Sequence, residues 1–197
     1  MKKFFPSLGF ANLPNVVTSI GMLSGVAAAY FLMENSIRWV IFFVSFAALM
    51  DTLDGFLAKR LNTSSVFGQA LDSLCDFFVC CIIPMMMVLV FIGNSLLVVL
   101  PAAFYVLCGL WRLAYFNATA SENRPYYTGM PVPSAALLSI LSIWLVWRLD
   151  IHPTAILAAK IIAGLLMVSH IRLAKGGLWR KLILLSGFIF LGFAFFF

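Results

Sequence analysis

Long stretches of almost entirely apolar residues follow one another along this chain, and they constrain its fold more than any other feature. A helix needs about 20 mostly apolar residues to cross a lipid bilayer. Six such stretches lie at residues 12–33, 37–58, 67–92, 96–116, 132–149 and 154–171. A seventh, at 180–197, is shorter and ends in three phenylalanines. The sequence therefore predicts an all-α integral membrane protein, with a six-helix transmembrane core bundle and a seventh, C-terminal helix.

Composition agrees with this fold class. Of the 197 residues, 63% are hydrophobic and 10% are charged, whereas soluble domains average about 45–50% apolar residues and about 25% charged ones. The length suits one bundle. We therefore expect a single membrane domain over residues 1–197, made of an interfacial N-terminal segment (1–10), the six-helix core (12–171) and a C-terminal hydrophobic helix (180–197).

The distribution of basic residues predicts the orientation in the membrane. With the N-terminus in the cytoplasm, ten of the 13 Lys and Arg residues fall on the cytoplasmic side, and Arg38 and Arg148 fall outside. This bias is typical of multi-pass proteins of the cell membrane. Lys160 lies inside the sixth stretch, and we expect its side chain either to extend toward the membrane boundary or to bind a lipid phosphate. No basic run is long enough to follow a phosphate backbone, so nucleic acid is not an expected partner.

Four of the seven acidic residues lie within the apolar stretches: Asp51, Asp54, Asp72 and Asp76. One carboxylate at the centre of a bilayer costs about 2.5–3.5 kcal/mol on insertion scales. The same stretches offer no matching set of four basic partners. Hard divalent cations bind carboxylate oxygens. The acids therefore predict a metal centre.

The spacing of these acids places them together. Asp51 and Asp54 are three residues apart, and Asp72 and Asp76 are four apart, so each pair shares one face of its helix. The connection between the second and third stretches is short, which makes the two helices adjacent and antiparallel. We therefore expect the four carboxylates to converge just inside the cytoplasmic boundary.

Two glycines flank the acids. Gly55 directly follows Asp54, and Gly68 lies four residues before Asp72. Glycine allows a ligand or another backbone to approach closely, and it is also common where membrane helices pack. At this point both interpretations remain open.

The stretch DTLDGFLAKRLNTSSVFGQALDSLCD resembles the signature of the CDP-alcohol phosphotransferases, Asp-x-x-Asp-Gly-x-x-Ala-Arg-x8-Gly-x-x-x-Asp-x-x-x-Asp. Seven positions agree with it: Asp51, Asp54, Gly55, Ala58, Gly68, Asp72 and Asp76. Lys59 stands in the place of the usual Arg, and Arg60 follows it.

Other stretches resemble one branch of that family, the membrane phosphatidylserine synthases. These are PNVVTSIGMLSG, FGQALDSLCD, CGLWRLAYFN and TGMPVPSAA. Tyr115 takes the place of the branch's second Arg in the third of them. The resemblance covers residues 12 to 140.

The resemblance implies a reaction in which an alcohol attacks the lipid-side phosphorus of a CDP-lipid and expels CMP. It implies that Asp51, Asp54 and Asp72 are metal ligands, and that Asp76 is both a ligand and the general base. The cofactor is expected to be Mg²⁺ or Mn²⁺, as two ions, since a metal pair roughly 4 Å apart stabilises both the attacking and the leaving oxygen. The expected substrates are CDP-diacylglycerol and L-serine, and the expected assembly is a homodimer in the lipid bilayer.

Further roles follow from the same resemblance. Residues expected to bind the CDP group are Asn15, Thr18, Asp54, Gly55, Ala58, Lys59 and Gly68. Residues expected to bind the acceptor or the reacting phosphate are Arg60, Arg112 and Tyr115. The 117–130 loop is either a lid over the acceptor or a plain connection.

Three alternatives stay open. The acceptor could be another alcohol, such as glycerol phosphate, inositol phosphate or choline. Acids inside a membrane also mark ion pathways, but transporters usually show internal repeats and helices broken at the midplane. A catalytically inactive scaffold of the same fold is the third alternative, and the intact set of four Asp residues argues against it.

Overall fold

The computed structural model of the protein describes residues 6–119 and 125–174, and most of these residues are helical. The long helices of this described part are α1 (Leu13–Met33), α2 (Ile37–Arg60), α3 (Val66–Phe91), α4 (Leu96–Ala118), α5 (Val132–Leu149) and α6 (Thr154–Val168). A single 3-10 segment, Pro6–Phe10, precedes α1. Two short strands, β1 (Tyr126–Thr128) and β2 (Arg172–Ala174), complete the described elements.

The helices confirm the all-α membrane class. Four of them, α1 to α4, are long and apolar enough to cross a membrane. The apolar parts of the other two are shorter, at Val132–Val146 and Thr154–Val168. The number of crossings and the orientation of the N-terminus therefore stay predictions. The predicted seventh helix at 180–197 lies outside the described residues, as do residues 1–5 of the expected interfacial segment.

Polar side chains fix the boundaries of the helices near the acids. The side chain of Asn12 accepts a hydrogen bond from the backbone N–H of Asn15 at 2.9 Å. The Ser65 hydroxyl accepts one from the N–H of Gly68 at 3.0 Å. Each satisfies an N–H group that the first turn of a helix leaves free. Between them, Asn62 adopts a φ of 52° just after α2, a left-handed conformation that Asn tolerates, so the chain turns back at once into α3.

Small residues let α1 lie close to both α2 and α3. A Cβ atom at Gly25 would come within 2.7 Å of Val79, and one at Gly21 within 3.3 Å of Met50. The Ser24 hydroxyl donates to the carbonyl of Phe43 at 2.7 Å. Membrane helices associate through such close packing and interhelical hydrogen bonds. The start of α1, the end of α2 and the start of α3 consequently meet at one end of the bundle.

The middle of α3 departs from α-helical hydrogen bonding. Residues Phe77–Ile82 form a π-helical turn that begins directly after Asp76. The N–H of Ile83 donates to the carbonyl of Phe78, five residues earlier. Turns of this kind occur frequently at functional sites.

The prediction that Lys160 extends toward the membrane boundary is wrong. Its side chain is 0% exposed. The ammonium group donates to the carbonyl of Pro84 at 2.9 Å and to the hydroxyl of Ser139. These oxygen atoms of α3 and α5 accept hydrogen bonds from the ammonium group inside the bundle. The Lys160 side chain is therefore stabilised without contact with water.

The two strands form a small antiparallel sheet that the sequence did not predict. Tyr127 pairs with Leu173 at its centre. Gly129, with a φ of 75°, follows β1, and its N–H donates to the carbonyl of Ile171 at 2.8 Å. The described part of the 117–130 loop is therefore tied to the segment that follows α6.

Candidate active site

A cleft of about 240 Å³ opens where α2 ends and α3 begins. It lies among α2, α3, α4, the start of α5 and the two strands. The residues that line it are Asp51, Thr52, Gly55, Phe56, Lys59, Asp72, Asp76, Arg112, Leu113, Phe116, Tyr127, Pro131, Val132, Pro133 and Leu173. Acidic, basic and aromatic groups therefore face a common space.

Three carboxylates meet in this cleft. Asp51, Asp72 and Asp76 each offer an oxygen atom, and these atoms all lie within 4.8 Å of one another. Asp51 comes from α2, while Asp72 and Asp76 lie one turn apart on α3. The antiparallel pairing of α2 and α3 thus brings together the acids predicted to converge, with the exception of Asp54.

Asp54 faces α1 instead. It is 6% exposed, and its carboxylate accepts a hydrogen bond from the hydroxyl of Thr18. Residues three apart on a helix point about 60° away from each other, since each residue turns about 100°. Three of the four predicted acids therefore have oxygens within 4.8 Å of one another, and a ligand role for Asp54 stays a prediction.

The two glycines of the motif have different surroundings. A Cβ atom at Gly55 would meet no atom within 4 Å, and Gly55 lines the cleft. A Cβ atom at Gly68 would come within 2.8 Å of Oδ1 of Asn15. Asn15 itself is buried, and its amide donates to the carbonyl of Phe10 at 2.8 Å. Gly55 therefore leaves room for a ligand, whereas Gly68 and Asn15 pack α1 against α3.

The two basic residues at the end of α2 also separate. Lys59 lines the cleft, one turn after Gly55 and two turns after Asp51. Arg60 is exposed, and its guanidinium carbon lies 5.9 Å from the ring centroid of Phe56. Ala58 is not among the residues that line the cleft. Of Ala58, Lys59 and Arg60, only Lys59 lines the cleft that contains the acids.

Arg112 presents a buried cation to the same space. It is 6% exposed, and its guanidinium carbon lies 5.7 Å from the ring centroid of Phe116. Its Nε atom is buried and has no hydrogen-bond partner among the described residues. Buried donors in native proteins usually have a partner, so this group is suited to an anionic ligand.

Residues 11–174 match the sequence profile of the family described as CDP-alcohol phosphatidyltransferase. The chain belongs to the CDP-alcohol phosphatidyltransferase family. This match confirms the resemblance carried by the motif around the acids. It also identifies the protein as a membrane transferase, in agreement with its apolar helices.

Similar curated proteins share one name, CDP-diacylglycerol–serine O-phosphatidyltransferase. The protein from Methanocaldococcus jannaschii is 32% identical over 164 residues, which cover 83% of this chain and 74% of that protein. The protein from Bacillus subtilis is 31% identical and covers 66% of this chain and 73% of its own length. The protein from Helicobacter pylori is 28% identical over 166 residues, which cover 81% of this chain and 70% of that protein.

The cluster of three carboxylates is suited to a divalent metal ion, which this family generally uses. Asp51, Asp72 and Asp76 offer oxygen atoms only, and hard cations such as Mg²⁺ and Mn²⁺ prefer such ligands. The oxygens are close enough together for one ion to contact all three.

Tyr115, expected beside the acceptor, lines a second cavity of about 240 Å³. Trp111, Thr128 and His170 also line it, and Arg112 borders both cavities. Tyr115 therefore neighbours the candidate site through Arg112 and does not enter the main cleft.

The family motif did not indicate several cleft residues. Thr52 and Phe56 are one turn apart, and they lie three residues before Gly55 and Lys59, so helical spacing could have found them. Tyr127 and Leu173 reach the cleft only because β1 pairs with β2. That pairing joins segments more than 40 residues apart and has no local signal in the sequence.

Proposed function

We propose that this chain transfers the phosphatidyl group of CDP-diacylglycerol to L-serine, giving phosphatidylserine and CMP. The observation that carries the proposal is one cleft in which three carboxylates face a buried arginine. The names of the similar proteins support serine as the acceptor. The pyrophosphate and the carboxylate of serine are both anionic, so each needs a cation as its partner. The three clustered carboxylates would hold a metal ion for the pyrophosphate, and Arg112 is a cation for the serine carboxylate.

The proposed metal ligands are Asp51, Asp72 and Asp76, with Asp54 as a further ligand that turns from Thr18 when metal binds. Two Mg²⁺ or Mn²⁺ ions would neutralise the pyrophosphate and stabilise the attacking and leaving oxygens. Oxygen ligands alone do not distinguish these two ions.

Asp76 is the proposed general base. Its carboxylate accepts the hydroxyl proton of serine while the hydroxyl oxygen forms a bond to the lipid-side phosphorus. The bond between that phosphorus and the oxygen of CMP breaks, and CMP leaves with the electron pair. Because Asp76 lies beside Asp51 and Asp72, proton removal takes place next to the bound pyrophosphate.

Residues of α2 orient the nucleotide in this proposal. Gly55 leaves space for it, and Lys59 contacts a phosphate as a point charge. Thr18 contributes by orienting Asp54, with which it is hydrogen-bonded. Asn15 and Gly68 act by holding α1 against α3, while Ala58 and Arg60 flank the site.

Arg112 is the proposed partner of the serine carboxylate. A guanidinium group grips a carboxylate through two parallel hydrogen bonds, which fixes where the serine hydroxyl points. The Nε atom of Arg112 is buried and has no partner within residues 6–119 and 125–174, so it is a donor for this purpose. Tyr115, on the other side of Arg112, supplies a hydroxyl group and no charge.

The proposed setting is the cell membrane, with the cleft at the cytoplasmic face and the N-terminus inside. The protein acts as a homodimer with one active site per protomer. Exposed apolar side chains along α1 and α4, such as Leu23 and Leu97, are available to lipid or to a second copy. Native mass spectrometry from detergent tests the assembly, and a fully active monomer would contradict it.

The experiment that tests the reaction is incubation of the purified protein with CDP-diacylglycerol and a panel of alcohols. The lipid product is identified by mass. We expect a serine product and CMP, no product in excess EDTA, and recovery with Mg²⁺ or Mn²⁺. A product only with glycerol phosphate, inositol phosphate or choline would overturn the serine assignment and keep the family chemistry. Full turnover in EDTA would overturn the metal centre.

A further inference from the structure

A second polar cluster lies buried in the bundle and shares no residue with the cleft; we call it the Lys160 cluster. Lys160 of α6 donates to the carbonyl of Pro84 at 2.9 Å and to the hydroxyl of Ser139. Its ammonium nitrogen also lies 4.3 Å from the ring centroid of Tyr105. The Tyr105 hydroxyl in turn donates to the carbonyl of Cys80 at 2.7 Å. Side chains of α4 and α6 thus donate to two backbone carbonyls of α3, and Ser139 of α5 accepts from Lys160.

Proline explains why α3 needs outside donors at this point. In an α-helix, the carbonyl of Cys80 would accept a hydrogen bond from the N–H of residue 84. Pro84 has no N–H group, and the Tyr105 hydroxyl donates to this carbonyl. Lys160 supplies a charged donor to the carbonyl of Pro84 itself. Both contacts lie at the end of the π-helical turn Phe77–Ile82.

That turn determines where the acids of α3 point. A π-helical turn accommodates one residue more than an α-helical turn, and each residue of an α-helix turns about 100°. Asp72 and Asp76 precede the turn, whereas the buried residues Pro84 and Met87 follow it. If the turn became α-helical while the second half of α3 stayed packed, Asp76 would rotate by about 100° away from Asp51.

We propose that Lys160 and Tyr105 are positioning residues for Asp76. By holding the carbonyls of Pro84 and Cys80, they keep the π-helical turn in place and the Asp76 carboxylate beside Asp51. This inference rests on the proposed function, in which these acids bind a divalent metal. It gives a role to a charged residue that is costly in an apolar bundle and that does not line the cleft.

The test compares Tyr105→Phe and Lys160→Met with the control Ile156→Val. Ile156 is a buried residue one turn before Lys160 on α6, and it is not part of the Lys160 cluster. Mn²⁺ binding is measured by electron paramagnetic resonance on the full chain in detergent, together with kcat, the KM for serine and the melting temperature. We expect both variants to bind Mn²⁺ about tenfold more weakly, as when outer partners of metal ligands are removed. Their kcat falls, and their KM for serine stays at the wild-type value.

The control variant is expected to lose thermal stability only. Wild-type affinity for Mn²⁺ in both Tyr105→Phe and Lys160→Met would overturn the proposal, whatever their melting temperatures. If Lys160→Met does not fold, Tyr105→Phe decides, since it removes one hydroxyl group and keeps the ring. A wild-type protein that binds no Mn²⁺ would overturn the metal centre and this inference with it, whereas equal binding by all forms would overturn only the positioning role.

Discussion

At the scale of single residues, the proposed reaction gives the three clustered acids two roles, metal binding and proton transfer. Asp51, Asp72 and Asp76 have oxygens within 4.8 Å of one another, so the charge of each affects the binding of a shared cation. Only a carboxylate next to the serine hydroxyl also has to accept a proton. A change from Asp to Asn removes one charge with little change in volume, which makes it a suitable probe of both roles.

We expect Asp72→Asn to weaken Mn²⁺ binding, because it removes one negative charge from the cluster. Asp76→Asn should lower kcat by about 10²- to 10⁴-fold, the usual contribution of a general base, and have less effect on CDP-diacylglycerol binding. Metal titrations, lipid binding and turnover measure the difference. Asp150→Asn is the matched control, since Asp150 lies in a left-handed loop position that Asn tolerates. Equal losses of binding and turnover in both variants would argue against separate roles.

Arg112 and Tyr115 give a second prediction at this scale. We expect Arg112→Ala to raise the KM for serine by about 10- to 100-fold, since hydrogen bonds to charged groups contribute roughly 1.5–3 kcal/mol. Binding of CDP-diacylglycerol should stay near the wild-type value. Tyr115→Arg should lower the KM for serine, because it places a second cation next to Arg112. Steady-state kinetics with varied serine measures both effects.

The control for these variants is Arg38→Ala. Arg38 is exposed near the start of α2, at the opposite end of that helix from the acids. Its removal should leave the KM for serine unchanged. An Arg112→Ala enzyme with the wild-type KM for serine would exclude Arg112 from acceptor binding.

At the scale of helices, one family motif serves two purposes. Gly55 faces an open cleft, while Gly68 lies against Asn15 of α1. The sequence alone could not separate these purposes, because glycine at a ligand site and glycine at a helix contact look the same. The structure distinguishes the two purposes, because a Cβ atom would meet no neighbouring atom at Gly55 and would clash with Asn15 at Gly68.

The two glycines therefore predict opposite effects of the same substitution. Gly55→Ala should raise the melting temperature, because Ala is favoured over Gly in a helix by about 1 kcal/mol. It should also raise the KM for CDP-diacylglycerol, since the methyl group enters the cleft. Gly68→Ala should lower the melting temperature, because overpacking costs about 1–3 kcal/mol of the free energy of unfolding. Thermal unfolding and kinetics test the pair, and stabilisation by both variants would contradict the assignment.

Much of the helical fold could be predicted because apolar length is a local property of the sequence. The stretches predicted for α1 to α4 begin and end within a few residues of the observed helices. The convergence of Asp51, Asp72 and Asp76 also followed from helical spacing and a short connection. The turn of Asp54 toward Thr18 and the burial of Lys160 depend on partners 36 and 76 residues away along the chain. Such contacts leave no periodic pattern.

At the scale of the whole molecule, all the cleft residues lie at one end of the bundle. This end holds the start of α1, the end of α2 and the end of α4. In the proposed reaction, serine would therefore enter the cleft, and CMP would leave it, on the same side of the membrane. The distribution of Lys and Arg predicts that this side is the cytoplasm.

Two engineered cysteines test this orientation in intact cells. Glu34→Cys lies in the exposed connection between α1 and α2, at the far end from the cleft, and Ser64→Cys lies in the exposed connection between α2 and α3, beside it. Cys80, Cys81 and Cys108 are buried and Cys75 is partly buried, so background labelling of the native cysteines should be low. We expect a membrane-impermeant maleimide to label Glu34→Cys in intact cells and Ser64→Cys only after the membrane is opened. Because α2 alone separates the two positions, the reverse pattern would place the cleft outside, and labelling of both in intact cells would show that α2 does not cross the membrane.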